Sequence, residues 1–140
     1  MRTSSSTITA AAAIVVLLFA SSAFARASQQ SAVAKSGSGL YVNYCGSCHG
    51  PNAKGDGPMA AALTKKPADL TLIAKRDGGK YPTDLVFRTN DGRNPVLGHG
   101  GQEMPVWGNA FLRAEGGATV EQARARVDAL VAYLATIQQK

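Results

Sequence analysis

Three residues packed into one short run carry the chemistry of this chain: Cys45, Cys48 and His49, in Cys-Gly-Ser-Cys-His. On a helical turn, residues i and i+3 share a face and i+4 stands beside them, so two thiols and an imidazole converge. Thiols so spaced can each add as a thioether across one vinyl group of a single flat prosthetic group, while the imidazole beneath it reaches the central metal. C-x-x-C-H is the attachment pattern of a c-type haem. Two other chemistries use part of the pattern. A redox-active C-x-x-C pair expects a βαβ context, and no alternating strand pattern of useful length occurs. A structural zinc site needs about four ligands, whereas His99 is the only further histidine.

The two cysteines are the only ones present, and their spacing cannot staple distant segments. Their setting is nevertheless that of an exported protein. Arg2 in a polar start, an apolar stretch from Ala10 to Ala20 and the small-residue end Ala23-Phe24-Ala25 read as a secretory signal. Cleavage after Ala25 is expected, with Ala25-Arg26-Ala27 offering a second site after Ala27. The apolar run is well short of the roughly 20 residues of a spanning helix, so the mature protein is expected to be soluble in the periplasm.

Size and charge limit what surrounds the motif. Residues 1–25 form the signal, residues 26–36, rich in Ser, Ala and Gln, a flexible leader, and residues 37–140 one small domain. A domain of that size has a limited apolar interior, and a buried haem face would enlarge it. The formal charge of +6 loses one unit when Arg2 leaves with the signal. The Lys and Arg residues are scattered, without aromatic interleaving, which is a solvated surface or a patch that steers an acidic redox partner rather than a nucleic-acid interface.

The elements that must position the motif can be read from spacing. Leu40, Tyr41 and Tyr44 recur at helical intervals over Gly37 to Tyr44, just before Cys45. The stretch from Gly50 to Gly57 is dense in turn formers, and Pro58 then opens a short helix through Leu63 that holds Met59, with Pro67 as the stop beyond it. Ala68 to Tyr81 lacks a period and reads as loop. Pro82 and Thr83 begin a helix that stops near Asn90-Asp91-Gly92. A Gly- and Pro-rich loop from Asn94 through Gly101 leads to Met104. Thr119, with Gln122 three places on, caps a last helix to Gln138 whose stripe is Val127, Leu130, Val131, Leu134 and Ile137. The expected fold class is all-α with long loops.

With these elements in place the mature chain resembles the bacterial monohaem class I cytochromes c. In that family a glycine and an aromatic precede the first cysteine by eight and four positions, as Gly37 and Tyr41 do here. Leu130-Val131-Ala132-Tyr133-Leu134 is similar to the C-terminal partner of the first helix, and Gly37 would permit their close approach. The resemblance implies Cys45 and Cys48 as covalent haem attachments, His49 as one iron ligand and Met104, in Gly-Gln-Glu-Met-Pro-Val-Trp-Gly, as the other. Met59 and His99 are rivals to Met104. Gly57-Pro58 matches a Gly-Pro whose proline carbonyl accepts from the other imidazole nitrogen. Trp107 is placed in the haem pocket, with core packing as its ordinary alternative, and Arg88 and Arg93 are candidate propionate partners.

What the resemblance implies is a carrier of single electrons between redox partner proteins, holding one haem c and its iron, rather than an enzyme. Two rival roles stay open: a cytochrome subunit of a dehydrogenase or oxidase complex, and a peroxidase-like haem protein with a labile Met104.

Overall fold

The computed structural model describes Arg26 and residues 28–93, 104–114 and 118–139. The signal segment 1–25, His99 and the loop Asn94–Gly101 lie outside the described residues. The chain divides into two units, Met1–Ala32 and Val33–Lys140. In the first, residues 28–32 are helical and exposed. The second holds every element named below.

Helix α1 covers residues 33–44 of the second unit. Residues 28–36, read from composition as a flexible leader, are therefore helical; their Ala, Gln and Lys are good helix formers even where no core face is offered. Inward packing starts at Gly37, followed by Tyr41 and Cys45, each buried and four residues apart. The short helix α2 (Gly46–His49) is followed by a 3-10 turn at Ala60–Ala62. That turn replaces the helix expected from Pro58 through Leu63: Leu63 is already extended, and Met59 stands just outside it, half exposed to solvent.

The segment after Pro67, expected as loop, contains a 3-10 turn at Leu70–Leu72 and helix α3 (Ile73–Arg76). Asp69 supplies the missing signal by accepting from the Thr71 amide as an N-cap. Helix α4 (Thr83–Asp91) stops at Gly92, whose φ of 67° is left-handed. Helix α5 (Trp107–Arg113) was not legible, because seven residues containing Gly108 and Asn109 are too short and too poor in helix formers to show a period.

Helix α6 (Val120–Thr136) begins with the expected capping box, in which Thr119 Oγ1 accepts from the Gln122 amide and Gln122 Oε1 from the Thr119 amide. It ends two residues before the expected Gln138, since Ile137 already departs from helical geometry. Helices α4, α5 and α6 pack on one another in all three pairings. Their shared core includes Phe111, Val127 and Leu130, all at 0% exposure, each worth about 1.5–3 kcal/mol of burial. No strand occurs among the described residues.

Candidate haem site

Tyr41 leads into the site. Its ring packs on Tyr133 of α6 at 5.4 Å between centroids, and its hydroxyl donates to the Gly50 carbonyl. The Cys45 amide donates to the Tyr41 carbonyl at 2.8 Å, and the Cys45 carbonyl accepts from Cys48 at 3.2 Å and His49 at 2.9 Å. One turn thus presents both sulfurs and the imidazole. Both thiols are free, Cys45 buried and Cys48 partly so. Burial first, then the neighbouring Cys48, pushes the Cys45 thiol up to about 11. A dithiol redox pair needs the opposite, a depressed thiol.

The loop after the motif folds back over it. Gly55 donates to the His49 carbonyl at 2.8 Å, Gly57 to Cys48 at 3.1 Å and Met59 to Ser47 at 2.9 Å. A Cβ at Gly57 would stand 2.7 Å from the Cys48 carbonyl carbon, so only glycine permits this approach. Pro58 rides on the outside and is exposed.

His49 is partly buried, and its Nδ1 lies 3.0 Å from the Ala68 carbonyl. A carbonyl only accepts, so Nδ1 carries the proton and Nε2 keeps a free lone pair. Desolvation lowers the His49 pKa, against the Ala68 hydrogen bond, which raises it; the neutral ring is the form a metal takes. The carbonyl expected from Pro58 is therefore supplied by Ala68. The reason is the path of the chain: Gly57–Met59 runs along the cysteine turn, while Pro67 comes in against Gly55, where a side chain would strike the Pro67 carbonyl.

Met104 is partly buried three residues ahead of α5. Trp107, the first residue of α5, stands edge-on to Tyr44 at 5.6 Å, and Phe111 closes the trio at 5.3 Å from Tyr44 and 5.8 Å from Trp107. Tyr44 adjoins Cys45, so this cluster ties the segment after Met104 to the cysteine turn. Below it, Arg93 pairs with buried Asp91, Nη2 to Oδ1 at 2.7 Å and Nε to both carboxylate oxygens. Gly108 sits directly on that pair, where a Cβ would be 2.6 Å from Arg93 Nε. Arg93 is thus spent on an internal partner, and Arg88 is exposed.

Two free thiols and a neutral imidazole on one turn, beside an aromatic wall, are a donor set that fits a covalently held haem. The family model for cytochrome c matches residues 34–138, most of the chain. The chain belongs to the cytochrome c family. No curated protein and no solved structure gives a significant match. As a cytochrome c it binds haem c and its iron covalently and serves electron transfer. No helix among the described residues is long and apolar enough to cross a membrane.

In this cytochrome c the structure brings Cys45, Cys48 and His49 together and links Trp107 to them through Tyr44. It leaves Pro58 outside. Sequence reasoning missed Ala68, whose contribution is a backbone carbonyl, and Phe111, whose spacing of four from Trp107 was the available signal.

Proposed function

We propose that this cytochrome c is an exported, periplasmic monohaem carrier of class I, of the bacterial kind, with Cys45 and Cys48 as thioether attachments and His49 and Met104 as axial ligands. The observation that carries the proposal is the His49 ring: its Nδ1 is engaged by the Ala68 carbonyl, so Nε2 is the nitrogen available to iron. When bound, haem supplies a one-electron ferric–ferrous couple. The protein does the rest. Cys45 and Cys48 fix the ring in place, the Ala68 carbonyl orients the imidazole, and the neutral thioether of Met104 favours ferrous iron and so raises the potential.

With His49 and Met104 both holding the iron, no position would be left for oxygen or peroxide, so the chain would act as a carrier rather than a catalyst. The signal of residues 1–25 is removed on export, and the mature chain exchanges electrons with larger redox proteins that meet its basic surface. The test is made on protein matured by a cytochrome c biogenesis system. A low-spin six-coordinate spectrum that turns high-spin in Met104→Ala is expected. Peroxide reduction by wild type as fast as by Met104→Ala would mean an open iron and would sink the carrier assignment.

A further inference from the structure

Just past α6, two glutamines turn back into the fold. Gln138 Oε1 accepts from the Ala74 amide at 2.9 Å, and its Nε2 donates to the Leu70 carbonyl at 2.9 Å and the Leu134 carbonyl at 2.7 Å. The Gln139 amide donates to the Thr71 carbonyl at 2.8 Å, and its Nε2 to Thr71 Oγ1 at 2.9 Å. Thr71 is buried, and its amide and hydroxyl both donate to Asp69 Oδ1, at 2.9 and 2.6 Å. Asp69 follows Ala68, whose carbonyl receives His49 Nδ1.

The contacts form one chain from the end of α6 to the imidazole. From the other side, the Leu70 amide donates to the Ala53 carbonyl at 2.7 Å, and Arg76 donates to the Asp69 carbonyl at 2.8 Å. The glutamines span 64 to 68 positions of sequence to reach this segment. Capping of α6 alone would use the Leu134 carbonyl and would not require the bonds to Leu70, Thr71 and Ala74.

We propose that Gln138, supported by Gln139, is a positioning residue for His49: it holds the Ala68 carbonyl at the distance and angle that keep the Nδ1 proton bonded. The proposal rests on His49 being an iron ligand. A firm Nδ1–H···O bond makes the imidazole a stronger donor and favours ferric iron; a slack one favours ferrous. Gln138 thus tunes the couple from the far end of the last helix without touching the haem ligand.

The experiment uses haem-bound Gln138→Met, which keeps the side-chain length and removes the hydrogen bonds, beside Thr119→Ala, which weakens α6 at its opposite end. In Gln138→Met the His49 Nδ1 proton, followed by NMR in the ferrous protein, is expected to exchange about tenfold faster, and the ferric–ferrous equilibrium to move about threefold toward ferrous. Thr119→Ala is expected to lower the melting temperature and leave both readouts at wild-type values. If Gln138→Met lowers only the melting temperature, or if both variants move both readouts alike, Gln138 is merely structural and the proposal is overturned. A wild-type spectrum without an iron-bound His49 would instead overturn the ligand assignment itself, before any variant is compared.

Discussion

Gly37 lies so close to Ala129 that a Cβ on the glycine would be driven into the Ala129 carbonyl and would stand 2.8 Å from the Tyr133 Cβ. This contact brings α1 onto α6 and sets the direction in which α1 delivers Cys45. No flexible side chain can yield there, because the obstructing atoms are backbone and a Cβ. Gly37→Leu is therefore expected to destabilise the haem-bound protein by about 3 kcal/mol or more, read as a fall in the urea midpoint with little change in slope.

Phe111 is completely buried and sits edge-on to Tyr44. Phe111→Ala removes a core ring and both aromatic contacts at once, and is expected to cost about 3–5 kcal/mol. That is a large part of the roughly 5–15 kcal/mol that holds a domain together. Phe111→Leu, which retains most of the apolar volume, should cost much less in the same thermal unfolding measurement.

Arg93 neutralises a carboxylate that is only 6% exposed. Arg93→Ala leaves Asp91 buried without its guanidinium and is expected to cost about 2 kcal/mol. Arg93→Lys should recover only part of this, since an ammonium cannot reproduce the Nε and Nη2 contacts. Asp91→Asn combined with Arg93→Ala should be milder than Arg93→Ala alone, a coupling that a double-mutant cycle measures.

Burial raises the pKa of Tyr81 above the ordinary tyrosine value, and burial, followed by neighbouring acidic groups, does the same to Tyr41. Tyr81 also donates to the Val131 carbonyl at 3.0 Å, a bond its phenolate would lose. A folded pKa above the unfolded one means that the native state binds more protons in between, so stability is full below about pH 10 and falls as pH rises beyond it. Two of the tyrosines should accordingly show tyrosinate absorbance only together with alkaline unfolding, in a spectrophotometric titration joined to circular dichroism.

Much of the fold was legible where a short-range pattern had a physical consequence. The α6 stripe as far as Leu134, the Thr119–Gln122 box and the Gly92 stop all depend on residues a turn apart, and each stands where its spacing places it. Helix α5 and the turn at Leu70 were not, because they are shorter than the period that would reveal them and are held by partners far along the chain. Pro58 shows the same limit from the other side. Its motif matched a Gly-Pro pattern, yet the carbonyl that meets His49 comes from Ala68, ten residues later.

By itself the sequence determined the cofactor and the turn that carries it, since Cys45, Cys48 and His49 are covalently spaced neighbours and need only one helical turn to converge. The family resemblance pointed to Gly37 as a place where two helices can meet, and the structure puts it against Ala129. Only the tertiary structure decided which carbonyl holds the His49 proton, which ring fills the space beside Tyr44, and that Gln138 reaches back to the Ala68 segment. Backbone carbonyls and long-range amide contacts carry no residue-type signature. Their positions follow from how the loops close around the core, which depends on the packing of the whole chain rather than on any local spacing.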